Sequence, residues 1–97
     1  MTTINTAASN MTARQACALW DIAEEFAAGD RHERARWGKP LSWCDTPGHL
    51  LNGNATRTLR SLRDKGLIEI KPGSAWITRP TDEGRAALVA AFGESPR

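Results

Sequence analysis

In the stretch Ala55-Thr-Arg-Thr-Leu-Arg-Ser-Leu-Arg-Asp-Lys-Gly-Leu-Ile-Glu-Ile70, Arg57, Arg60 and Arg63 recur at every third residue, with Lys65 close behind. A guanidinium is planar, permanently charged and carries its donors as a rigid fork, so such a row is suited to gripping anions and planar acceptors bidentately. The other residue types capable of chemistry lack a working arrangement. No Ser/His/Asp or Cys/His constellation and no phosphate-cradling glycine loop is readable, and Glu24 and Glu25 are adjacent rather than facing each other. Asp21 and Glu25 share a helix face at i and i+4, which reads as solvation of an exposed first helix. Cys44, with His49 five residues on and His32 at a distance, matches no closed tetrahedral zinc spacing. The sequence therefore predicts no catalytic residue, no metal and no cofactor.

Charge is unevenly distributed. Residues 1–30 carry a net −3, residues 31–79 carry ten Lys/Arg against four Asp/Glu for a net +6, and residues 80–97 carry −1. A basic middle between acidic ends suggests a polyanionic partner. The 97 residues, 40% hydrophobic and 25% charged, suit one soluble domain. No apolar run approaches the roughly 20 residues of a membrane span, and the start lacks a basic segment followed by an apolar block. The expected location is the cytoplasm. Cys17 and Cys44 are too few for a disulfide scaffold, and Cys17 falls on an apolar helical stripe.

Residues 1–11 lack sustained periodicity and read as a flexible arm. Thr12 can cap a helix with Gln15 completing a capping box, and Ala16, Leu19, Trp20, Ala23, Phe26 and Ala27 follow at helical spacing. Gly29 is expected to end that helix, leaving Arg31 to Trp37 in a polar connection. Leu41-Ser-Trp43 alternates like a short strand, and Thr46-Pro47 opens a short helix through Leu51. Asn54 then caps a helix from Ala55 to Lys65, with Ala55, Leu59 and Leu62 on one face and Gly66 at its end. Leu67 to Ile70 and Ala75 to Thr78 read as a hairpin around Lys71-Pro-Gly-Ser74. Thr81 caps a last helix in which Gly84, Leu88, Ala91 and Phe92 share a face, and residues 93–97 form a flexible tail. The domain accordingly spans residues 12–92.

This order, with Asn54 to Ile70 and Ile77 to Arg85, resembles the winged helix-turn-helix fold, closest to the bacterial MarR and PadR types. Leu59, Leu62, Gly66, Leu67, Ile68, Thr81 and Gly84 carry the likeness. They give a leucine-spaced recognition helix, a Gly-Leu-Ile step into the first wing strand, and a threonine-and-glycine helix start after the second. The resemblance covers about Leu41 to Phe92 and implies an α+β fold: a three-helix core, a two- to three-stranded antiparallel wing and a short C-terminal helix. It also implies a DNA-binding transcriptional regulator of bacterial or phage type. Family dimers use long helices at both termini, whereas here the last helix is short and the arm has no long apolar repeat, so a homodimer stays open.

On that reading Ala55 to Lys65 spans roughly 16 Å and enters the major groove of double-stranded DNA. Thr56, Arg57 and Arg60 would meet base edges, with Ser61 on the same polar face. Arg63, Lys65, Lys71 and Arg79 would contact phosphates, and Asn54 with the amides at the helix start would hold another. The plain alternative is a helix whose arginines only solvate it. The competing function is a protein-interaction winged helix, such as a small phage protein that binds and inhibits a host complex, with Trp37 and Trp43 as its anchors.

Overall fold

Thr12 and Gln15 start the first helix as the capping box requires. In the computed structural model, which describes Asn5 and residues 9–41, 56–71 and 78–96, the Gln15 amide donates to the Thr12 hydroxyl at 3.1 Å. The Thr12 amide donates back to Gln15 Oε1 at 3.0 Å. The resulting helix, α1 (Ala13–Trp37), does not stop at Gly29. It continues through the polar Arg31 to Trp37 run and closes at Gly38, whose φ is 68° and whose N–H donates to the Arg34 carbonyl. Gly29 serves another purpose. A Cβ there would stand 3.1 Å from Leu41 Cδ2, so the missing side chain makes room for Leu41 as the chain folds back along the helix. Arg34 and Arg36 in the last turn complement the negative end of the helix dipole.

The second helix, α2 (Thr56–Asp64), buries Thr58, Leu59 and Leu62. It ends as the glycine predicts. Gly66 takes φ 76°, its N–H donates to the Arg63 carbonyl at 2.9 Å, and the Leu67 N–H donates to the Leu62 carbonyl at 3.0 Å. Those paired bonds are a Schellman motif, and Leu62 and Leu67 supply its apolar contact. The chain then enters β1 (Ile68–Ile70), which pairs antiparallel with β2 (Thr78–Pro80) in the register Ile68 to Pro80, Glu69 to Arg79 and Ile70 to Thr78. The expected second strand at Ala75 to Thr78 meets this pairing only at Thr78; the ladder runs on to Pro80, and Ala75 to Ile77 lie outside the described residues. So do Ser42, Trp43, the helix expected at Pro47 to Leu51, and the turn residues after Lys71.

Thr81 caps the last helix, α3 (Asp82–Phe92), by accepting from the Gly84 amide at 2.9 Å, and Gly93 closes it at φ 82°. Packing centres on Leu19 and Ile22 of α1, Leu62 of α2, Thr78 of β2 and Leu88 of α3, all fully enclosed. Ala18 and Ile22 join the apolar face of α1, whereas Trp20 and Phe26 are only half-buried. Met11 is 3% exposed and belongs to the same cluster. The described residues thus form a small α+β fold of three helices and a two-stranded antiparallel sheet. None of these helices is long and apolar enough to cross a membrane.

Candidate nucleic-acid interface

With Thr58, Leu59 and Leu62 inside, the helical advance of about 100° per residue turns Arg57, Arg60 and Asp64 outward. Thr56, Arg57, Arg60, Ser61, Asp64 and Lys65 line one shallow, open depression along this face. Arg57 and Arg60 are exposed and enter no ion pair among the described residues. Arg63 lies outside the depression and sits 3.4 Å from Asp64, a long and exposed pair. The arginine row is therefore split: two members share a concave surface and the third does not.

Ser61 and Lys65 have structural partners that spacing did not reveal. Gln15 Nε2 donates to Ser61 Oγ at 2.7 Å. Lys65 Nζ donates to the Asn10 carbonyl at 2.7 Å and to Gln15 Oε1 at 3.1 Å. Both acceptors are neutral, so the ammonium keeps its charge for an anion. Asn10 has φ 56°, a left-handed conformation that asparagine tolerates better than most residues. Gln15 thus closes the capping box and also ties α1 to α2. A glutamine three residues after a threonine signals the first role only.

On the hairpin, Arg79 and Glu69 are direct cross-strand partners, with Arg79 Nη2 donating to Glu69 Oε2 at 3.1 Å. The positive charge of Arg79 is accordingly compensated at close range. Lys71 follows β1 and is half-buried. Asn54 and Trp43 lie outside the described residues. Trp37, at the far end of α1, is 61% exposed, with the Arg36 guanidinium carbon 5.0 Å from its ring centroid.

Two carboxyls away from α2 are perturbed. The Leu41 amide and then the Arg34 guanidinium hold Asp30 below its ordinary value, donating to its two oxygens at 2.9 and 2.8 Å. Burial, reinforced by Glu24 and Glu25, pushes Asp21 above its ordinary value. Cys17 is exposed with a free thiol, not on the buried stripe where its spacing suggested. Helical position 17 falls between the buried Ala16 and Ala18 but points toward α3's end, where a cleft opens. Among the described residues no group of three or more His, Cys, Asp or Glu side chains could hold a metal ion. Comparison with protein-family models, curated proteins and solved structures returns no match.

Proposed function

We propose that this chain is a small DNA-binding transcriptional regulator with a winged helix-turn-helix domain, in which α2 lies in the major groove. The observation that carries this reading is the outward face of α2: Arg57 and Arg60 share an open depression and stand clear of ion pairs among the described residues. The opposite face is locked into the core by Leu59 and Leu62, so the helix is a rigid platform. Nine residues at 1.5 Å each give about 13 Å, a length suited to one groove crossing. Three helices and an antiparallel pair of strands are compatible with the fold. In this reading Arg57 and Arg60 reach base edges beside Thr56, while Arg63, Lys65 and Lys71 meet phosphates. Arg79 joins them by exchanging Glu69, its cross-strand partner, for a phosphate.

The test is a fluorescence-anisotropy titration of random-sequence duplex at two salt concentrations, with Arg57→Ala/Arg60→Ala alongside. The parent should bind with an affinity that falls steeply with salt. The double variant should bind at least about tenfold more weakly at low salt, with a log–log salt slope shallower by up to about 2 if both arginines touch phosphate. A double variant that binds as well as the parent removes α2 as the interface.

Trp37 favours a second reading, the protein-interaction winged helix. Trp37, the last residue of α1, is 61% exposed, and an exposed indole is the kind of side chain that anchors protein interfaces. Absence of duplex binding even at low salt, with recovery of a stoichiometric protein partner that Trp37→Ala abolishes, would favour it over the first.

A further inference from the structure

Where α1 passes the C-terminal end of α3, Cys17, Trp20, Asp21, Phe92 and Glu94 line a cleft of about 290 Å³. That is close to the lower bound of sites that take small organic ligands, about 300 Å³. The aromatic part of its lining is ordered. The rings of Trp20 and Phe92 meet edge to face with centroids 5.0 Å apart at 63°, and both side chains are half-buried rather than sealed. Trp20 is oriented by its Nε1, which donates to Glu24 Oε2 at 2.8 Å. The lining also carries two carboxyls, and neither Asp21 nor Glu94 enters an ion pair among the described residues. Arg14 is on the same side of α1, but seven residues before Asp21, about 10 Å along the axis, and it pairs with neither acid.

These features select a ligand class. An anion would meet two carboxylates. A neutral apolar molecule would fill the aromatic space while stripping water from Asp21 and Glu94 without replacing it. A cation with an apolar body satisfies both parts, since aromatic faces and carboxylates attract positive charge alike. The rise in the Asp21 pKa, caused by burial and by Glu24 and Glu25, is consistent with a pocket short of positive charge.

We propose that the cleft formed by Trp20, Phe92, Asp21 and Glu94 is a binding site for a small organic cation, an ammonium or guanidinium on an aromatic or aliphatic body. It is independent of the DNA reading. Gln15, which reaches Ser61 on α2, is turned about 160° around the α1 axis from Cys17 and about 120° from Asp21.

The experiment titrates the full chain with phenethylammonium and with its neutral analogue phenethyl alcohol, following the Trp20 indole N–H in heteronuclear NMR spectra, assigned through Trp20→Phe. The ammonium should shift that resonance saturably. Asp21→Asn and Glu94→Gln should each weaken binding about threefold, and together about tenfold, as two separate partly exposed charge contacts would. The alcohol should bind at least about tenfold more weakly than the ammonium. Glu94 is exposed beyond the Gly93 cap, so its substitution leaves the fold intact and the readout interpretable. No saturable shift, equal binding of the alcohol, or variants that bind like the parent would each overturn the assignment.

Discussion

Gly84 sits where a single methyl group cannot. A Cβ at that position would overlap the Leu67 carbonyl oxygen, the same atom that accepts the Thr81 amide at 3.1 Å. Thr81 completes the junction by donating its hydroxyl to the Gly66 carbonyl at 2.6 Å while accepting from the Gly84 amide. Helix propensity alone would favour alanine over glycine inside α3 by about 1 kcal/mol. Backbone overlap is the larger effect, because the obstructing atom is a carbonyl within a hydrogen-bonded junction rather than the tip of a side chain. Gly84→Ala should therefore lower the unfolding free energy by about 2–4 kcal/mol, measured by urea titration. A stability change near zero would show that α3 lifts away from Leu67 without cost. The same comparison accounts for why Thr81 and Gly84 were legible as a helix start and not as a junction: a cap is set by residues three apart, whereas the overlap depends on a carbonyl 17 positions earlier.

Among elements, α1 divides local signals from long-range ones. Its capping box was readable because both bonds of the box join residues three apart, and the stop of α2 at Gly66 was readable because its bonds are equally local. Its length was not. Gly29 looks like a terminator in isolation, but here it accommodates Leu41, and Asp30 beside it fixes that return by accepting from the Leu41 amide. The arginine face of α2 was legible from its spacing, while the ties of Ser61 and Lys65 to Gln15 and Asn10 join residues 46 to 55 positions apart. The contact at Asp30 has a pH signature. Its folded pKa lies below the ordinary 3.8, so the stabilisation it brings is present above that value and is lost as pH falls through the folded value. Asp30→Asn should be less stable than the parent at neutral pH, with the difference shrinking in urea titrations at about pH 3. A difference independent of pH would assign the contact to packing instead.

Across the whole molecule, the described part of the N-terminal segment is joined to the domain at several points. Met11 is in the core, the Asn5 amide donates to the Ala91 carbonyl at 2.9 Å, and Lys65 reaches the Asn10 carbonyl. Met11→Ala should accordingly cost about 2–5 kcal/mol, the range of a buried methionine reduced to alanine, read as a lower urea midpoint with an unchanged transition slope. A negligible cost would mean that Met11 covers the core without stabilising it. Periodicity could not reveal this attachment, because Met11 precedes the helix and is brought into the core by the direction of the chain entering Thr12. The junction around Leu67 has a further consequence for engineering. It clasps the far ends of the two strands at the Gly66 and Leu67 carbonyls, so the positions of α2 and α3 depend on the clasp and not on the length of chain between Lys71 and Thr78. Each doubling of the length of that connection would add only about 0.6 kcal/mol of closure entropy. The connection between Lys71 and Thr78 is thus the place to graft an epitope or a reporter peptide, leaving the two helices in register.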